Sequence, residues 1–185
     1  MSLLWLAEWL AATRGSTALH ESQYVYPLVE STHVLTLTLF AGTVALLDLR
    51  LLGLALRRVP VSQVVARVLP FTVLGFVVVV LTGALLFYAI PVRTYQSVFF
   101  RAKVLMLIGA GLNVWVFHFR VKPSMGEWDR ATVPPRVARL AGAVSLLLWT
   151  GVIWAGRLTA YNWFDCDLQP QPAIVNAIAG CVVPP

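Results

Sequence analysis

The sequence predicts an all-α protein, a polytopic membrane four-helix bundle with a short N-terminal interfacial helix and a C-terminal tail. Composition and the length of the apolar segments carry this prediction. Of the 185 residues, 59% are hydrophobic and only 12% are charged, whereas about a quarter of an average soluble domain is charged. Four windows also have the roughly 20 apolar residues that a helix needs to cross the core of a bilayer.

The four apolar windows predict helices and not the strands of a membrane barrel. The second window, VLPFTVLGFVVVVLTGALLFYAI, has no charged residue, whereas barrel strands alternate apolar and polar positions over about ten residues. The segment VLTLTLF alternates like a strand, but it continues into AGTVALLDLRLLGLAL, which is too long for one strand. The predicted spans run roughly from Val34 to Leu56, Val68 to Ile90, Val104 to Phe119 with flanking residues, and Val137 to Ala160.

Three regions are expected along the chain. Residues 1–27 form an N-terminal interfacial segment, because Trp5 and Trp9 are spaced for one face of a helix too short to cross a membrane. Residues 28–161 form the four-helix bundle, and residues 162–185 form the tail. The first residues lack the basic region of a signal peptide, so the mature protein is expected to start near Met1.

The distribution of basic residues predicts the orientation in the membrane. The loops after spans one and three, with the span ends beside them, hold nine Lys and Arg residues, and the opposite side holds five. Basic residues are enriched in cytoplasmic loops. We therefore expect a multi-pass protein of the bacterial inner membrane, with both termini in the periplasm. Cys166 and Cys181 both lie in the tail, on the oxidising side, so we expect a disulfide between them, with two free thiols as the alternative.

Ionisable residues near the spans are the candidate site residues, since such residues are costly in a membrane and mark function or pairing. Glu30 and His33 lie three residues apart on one helical face, so the carboxylate could orient the imidazole. By helix direction they fall into two layers. The periplasmic layer holds Glu30, His33, Lys103 and Arg157, and the cytoplasmic layer holds Asp48, Arg50, His118 and Arg139.

His33 and His118 are the candidate cofactor or metal ligands. They belong to different layers, so they cannot bind one iron, and a bis-histidine haem in the periplasmic layer would need His20. Structural roles are the alternative: His33 hydrogen-bonded to a neighbouring helix, His118 beside headgroups, or Lys103 and Arg157 extended toward the headgroups. Asp48 and Arg50 would then be solvated at the end of a span. We predict that most glycines in the spans allow close contacts between helices and that Asn113 forms a hydrogen bond across the bundle.

Four segments together resemble a family of bacterial four-helix inner-membrane proteins of unknown function, over about Trp5 to Tyr161. They are ESTHVLTLTLFAGTVALLDLRLLGL, PFTVLGFVVVVLTGALLF, FRAKVLMLIGAGLNVWVFH and ARLAGAVSLLLWTGVIWAGRLTAY. His33 followed by Gly42 is also similar to the first span of copper-resistance D-type domains and of membrane protoporphyrinogen oxidases. The oxidase resemblance implies that His33 pairs with a span lysine near a haem, here Lys103.

The expected function is an integral membrane redox subunit that binds haem b or a quinone and exchanges electrons with a periplasmic protein partner. Glu30, His33, Lys103, Arg157 and His118 are its candidate cofactor-binding residues. One alternative is a non-catalytic membrane anchor or structural subunit of a larger complex. Another is a copper-handling membrane protein. The lipid bilayer is the expected environment, and a nucleic-acid partner is not expected, because the aromatic residues lie in the apolar segments.

Overall fold

The computed structural model describes residues 3–161, 163–164, 166 and 169–181, and within them every regular element is helical. The predicted all-α class is therefore confirmed. The α-helices are α1 (Leu4–Ala11), α2 (Arg14–His20), α3 (Val25–Leu52), α4 (Val61–Ala89), α5 (Pro91–Tyr95), α6 (Val98–Val116), α7 (Met125–Trp128), α8 (Arg136–Leu158) and α9 (Ala173–Ala179).

Four helices are long and apolar enough to cross a membrane, as predicted. Three of them are α3, α4 and α8. The fourth runs from Val98 to Trp128, where α6 continues through a π-helical turn (Phe117–Val121) and a 3₁₀ turn (Lys122–Ser124) into α7. Most side chains in the apolar windows of these helices are not buried within the protein. In a bilayer such apolar surface would face lipid.

The predicted starts of the first two spans are wrong by several residues. Helix α3 begins at Val25 rather than Val34, and α4 begins at Val61 rather than Val68. A helix needs backbone hydrogen bonds and not apolar side chains, so it continues beyond the apolar window into polar sequence. Helix α3 also ends earlier than predicted, because Gly53 takes a left-handed conformation (φ 72°) that terminates the helix.

The chain divides into two compact units, and all four long helices contribute to both. The first unit comprises Met1–Val34, Val80–Leu105 and Val152–Pro185, and the second comprises Leu35–Val79 and Met106–Gly151. Glu30, His33, Lys103 and Arg157 fall in the first unit, whereas Asp48, Arg50, His118 and Arg139 fall in the second. The division of the chain therefore separates the same two groups of ionisable residues that the sequence separates.

In the second unit, helices pack closely where glycines remove side chains. A methyl group added at Gly75 on α4 would lie 3.2 Å from Cβ of Phe40, which is 3% exposed on α3. Gly142 on α8 lies similarly close to the backbone of Asp48. Asn113 on α6 donates to the Ala141 carbonyl on α8 (3.0 Å), which confirms the predicted hydrogen bond across the bundle. The predicted close helix contact at Gly111 is wrong, because a methyl group added there would meet no atom of a neighbouring helix within 4 Å among the described residues.

Arg50 fixes the loops of the second unit. Its side chain is 1% exposed. Nε donates to the Val59 carbonyl (2.9 Å), and Nη2 donates to the carbonyls of Ala131 (3.1 Å) and, at longer range, Asp129 (3.5 Å). These carbonyls belong to two loops, after α3 and before α8. Asp48 is also buried, with 5% exposure, so the expectation that Asp48 and Arg50 are solvated is wrong.

Asp129 caps the start of α4 from a distant part of the sequence. Its carboxylate accepts hydrogen bonds from the backbone N–H and the hydroxyl of Ser62, both at 2.7 Å. The Val61 N–H donates to the Asp129 carbonyl (3.0 Å). The first N–H groups of a helix have no partner within the helix. The Ser62 N–H, then the Ser62 hydroxyl, hold the pKa of the Asp129 carboxyl below its usual value.

In the first unit, the N-terminal helix lies against α5. The Leu3 N–H donates to the Tyr95 hydroxyl (2.9 Å), and Ala7 is buried. Trp5 and Trp9 are 64% and 61% exposed. The predicted helix with both tryptophans on an outward face is thus present, as the interfacial interpretation requires.

Replacing Arg50 should destabilise the fold more than replacing an exposed basic residue does. Arg50→Met leaves the loop carbonyls without their donor, and we expect the free energy of unfolding to fall by about 3 kcal/mol. Thermal or denaturant unfolding in detergent measures the change. Arg57→Met is the matched control, because Arg57 is exposed. An equal loss in both variants would contradict the structural role of Arg50.

The Asp129 cap should make stability sensitive to acid. A carboxyl whose folded pKa is depressed contributes stability that is complete above its unfolded pKa of about 3.9 and is lost as the pH falls through the folded pKa. We therefore expect the unfolding temperature to drop between about pH 5 and about pH 3, with a smaller drop in Asp129→Asn. An unchanged acid dependence in that variant would show that the cap contributes nothing.

Candidate functional site

His33 lies inside α3 and contacts α4. Its Nδ1 forms a 2.8 Å hydrogen bond with the Thr82 hydroxyl. Gly83 follows directly, and a methyl group added there would lie 3.2 Å from His33 Cε1. The half-buried imidazole is therefore fixed by a hydroxyl and rests on a position without a side chain. Sequence reasoning proposed Glu30 for the role of orienting group and missed Thr82, although the TG pair in LTGALLF marks it.

Lys103 and Arg157 lie in the first unit on α6 and α8. The Lys103 side chain runs along Gly156, whose added methyl group would lie 3.5 Å from Lys103 Nζ. The Arg157 guanidinium stacks over the Tyr161 ring, with 5.3 Å from Cζ to the ring centroid. Neither cation has a carboxylate partner among the residues that the structure describes. Lys103 is half-buried and Arg157 is exposed, so only Lys103 carries its charge into the protein.

The other candidates are placed differently. Glu30 is exposed on α3. His20 packs edge-on against Tyr26, with 6.0 Å between the ring centroids. Since Tyr26 precedes His33 by seven residues, it lies about 10 Å along the helix axis from His33. His118 is exposed in the π-helical turn of the second unit, where its ring meets Phe119 edge-on at 5.2 Å.

Asp48 is a buried polar group that the candidate site does not include. Its carboxylate accepts a hydrogen bond from Ser145 on α8. Oδ2 has no hydrogen-bond partner in the part of the chain that the structure describes. Within the same residues, no three His, Cys, Asp or Glu side chains come together as metal ligands would. A haem differs from such a metal site, because one protein ligand to its iron is enough.

The C-terminal tail is held in the first unit by a disulfide and by Arg101. Cys166 and Cys181 are joined, with 5.2 Å between their Cα atoms, as predicted from their shared side. Arg101 donates through Nη2 to the Ala179 carbonyl (2.8 Å) and through Nε to the Tyr95 carbonyl (3.2 Å). Its guanidinium also stacks on the Tyr95 ring at 4.9 Å. Sequence reasoning did not single out Arg101.

Removing the Arg101 contact should loosen the tail. We expect Arg101→Gln to increase the rate at which chymotrypsin cleaves near Trp163 and Phe164 by about fivefold or more, because the end of α9 loses a charge-assisted hydrogen bond. Mass spectrometry of the fragments measures the rate. Arg14→Gln is the control, as Arg14 is exposed on α2. Equal cleavage of the two variants would show that Arg101 does not hold the tail.

A family model for a family of unknown function, DUF6644, matches residues 20–162. The matched region contains all four long helices together with His33, Thr82, Lys103 and Arg157. No curated protein and no solved structure shows a significant similarity to the chain. The match covers well over half of the sequence and agrees with the resemblance seen in the sequence segments. The chain belongs to the family of unknown function DUF6644.

Proposed function

We propose that the protein is an integral membrane redox subunit in which His33 would hold one b-type haem through its iron. The observation that carries the proposal is the setting of His33. Histidines that bind a metal usually hydrogen-bond through their second ring nitrogen, which fixes the ring. The Thr82 hydroxyl supplies such a bond at Nδ1. Iron would then be bound by Nε2, on a helix long and apolar enough to cross a membrane.

Lys103 supports an anionic cofactor in the first unit. An ammonium group within a membrane span is costly unless it meets a negative charge. No carboxylate of the described chain approaches Lys103, whereas a haem carries two propionate carboxylates. Lys103 would hold such a carboxylate, and the exposed Arg157 would offer a second positive charge in the same unit. A quinone is the second candidate cofactor. Because a quinone is neutral, it would not supply the negative charge that Lys103 needs.

The proposed orientation places both termini in the periplasm of a bacterium, with the protein in the inner membrane. The second unit holds nine Lys and Arg residues and the first unit holds five, which supports this orientation. The joined Cys166 and Cys181 support it independently, since disulfides persist in oxidising compartments. Electrons would pass to or from a periplasmic protein that contacts the N-terminal helix and the tail. Trp5 and Trp9 provide exposed aromatic surface for such a contact.

A non-catalytic anchor or structural subunit is the alternative. The contacts of Arg50 and Arg101 favour it, because both arginines donate hydrogen bonds to backbone carbonyls of the chain. In that case the hydrogen bond between His33 and Thr82 would only join two helices, and His33 would bind no cofactor. The anchor predicts a colourless protein whose His33 variants change stability alone. The redox subunit predicts a bound pigment that depends on His33.

A pyridine haemochrome assay on the detergent-purified protein separates the two functions. We expect protohaem, close to one per chain, in the wild type and its loss in His33→Ala. His118→Ala is the matched control, as His118 is exposed in the second unit, and it should keep its haem. His20→Ala tests whether a second histidine contributes to the site. Absence of haem from wild-type protein made with ample haem supply would contradict the proposal.

The partner of the imidazole provides a subtler test. Thr82→Val keeps the side-chain shape but removes the hydroxyl, and we expect haem affinity to fall by about tenfold to a hundredfold. Thr72→Val is the control, since the Thr72 hydroxyl donates to the Val68 carbonyl of its own helix. Haem titration of the apo-protein measures both. Equal affinities in the two variants would show that the Thr82 bond does not support a ligand.

A further inference from the structure

A second site lies in the first unit, where α2 meets the junction of α4 and α5. A cleft of about 290 Å³ opens there. One wall is α2, with Ser16, Thr17 and His20. The other wall follows the chain from the end of α4 into α5, and it ends at Arg93. Neither His33 nor Lys103 lines this cleft, so the cleft requires its own explanation.

The cleft is built by specific contacts that fix α2 against the end of α4. Ser16 is 2% exposed, and its hydroxyl donates to the Tyr88 carbonyl (2.7 Å). The hydroxyls of Thr13 and Tyr88 are 2.7 Å apart and share a hydrogen bond. Gly15 leaves the room that the Tyr88 hydroxyl occupies. The walls are therefore held in place before any ligand arrives, which lowers the entropic cost of binding.

The groups that line the cleft suit an amphiphilic anion. Arg93, His20 and Thr17 are exposed, and each offers hydrogen-bond donors. Guanidinium groups bind the oxygens of a phosphate through two parallel hydrogen bonds. The rest of the lining is apolar and includes the half-buried Ile90 and Val92. A donor set beside an apolar wall matches a phosphate group that is attached to a hydrocarbon-rich molecule.

The position of the cleft points to the lipid headgroups. Its lining includes Ala89, the last residue of a helix that is long and apolar enough to cross a membrane. Phosphate groups of lipids lie just beyond the hydrocarbon core, where such a helix ends. Glu30 and Arg93 both act electrostatically on the Tyr26 hydroxyl, so we expect Glu30 to be the carboxylate that competes with a phosphate for Arg93.

We propose that this cleft binds a phosphate group, held by Arg93 and His20, and that an anionic phospholipid supplies it. The proposal is independent of the haem. A phosphodiester of a lipid and a free phosphate ion share the recognition chemistry, so the experiment compares both. Binding of the lipid would place its hydrocarbon part against Ile90 and Val92 and fasten the N-terminal segment to the membrane surface.

Native mass spectrometry of the full chain in neutral detergent tests the site, with phosphatidylglycerol or inorganic phosphate as the probe. We expect Arg93→Gln to weaken phosphatidylglycerol binding by about tenfold. Arg14→Gln should change it less than twofold, because Arg14 is exposed on α2 outside the cleft lining. His20→Gln should weaken binding in the same direction. Glu30→Gln should strengthen it, since the competing carboxylate is gone.

The outcomes decide the proposal. Binding of inorganic phosphate with the same dependence on Arg93, and no binding of the lipid, supports the site but assigns it to a free phosphate. Equal weakening by Arg93→Gln and Arg14→Gln would overturn it, because general attraction between basic residues and anionic lipid would then explain the result. Binding of neither probe would also overturn it. If Arg93→Gln unfolds, as circular dichroism would show, His20→Gln and Glu30→Gln carry the same decision.

Discussion

Backbone carbonyls at the ends of helices need hydrogen-bond partners, and this protein meets that need with arginine side chains. Arg50 donates to carbonyls in two loops of the second unit. Arg101 donates to carbonyls on both sides of its helix in the first unit, at Tyr95 and Ala179. The planar guanidinium offers five donors in a fixed arrangement, whereas the lysine ammonium is a compact point charge. Each arginine therefore joins segments that apolar packing alone would leave unconnected.

The need for hydrogen-bond partners also applies to polar groups that the arginines do not contact. In the first unit, His33 is matched by Thr82 on the neighbouring helix. Lys103 has no carboxylate partner in the described chain, although it lies within a helix that can cross a membrane. A charged side chain within a membrane span is energetically costly, so Lys103 is expected to have a function. The proposed haem accounts for both residues at once, because it needs a fixed imidazole and carries negative charge.

The sequence predicts those features that depend on composition and on long apolar segments. Four long helices follow from the length of the apolar windows, and the pairing of Cys166 with Cys181 follows from there being only two cysteines. The helix starts could not be predicted, because polar sequence before Val34 is as able to form a helix as the apolar window is. Burial of Arg50 and the partner of His33 were missed for another reason. Both depend on residues 9 to 81 positions away, and spacing within one segment carries no information about them.

Resonance Raman spectroscopy of the reduced protein tests the central claim, that His33 is a haem ligand, most directly. The account predicts an iron–histidine stretching band that shifts to lower frequency when the protein contains ¹⁵N-labelled histidine and that is lost in His33→Ala. His118→Ala should retain the band. A band that persists in His33→Ala would contradict the account.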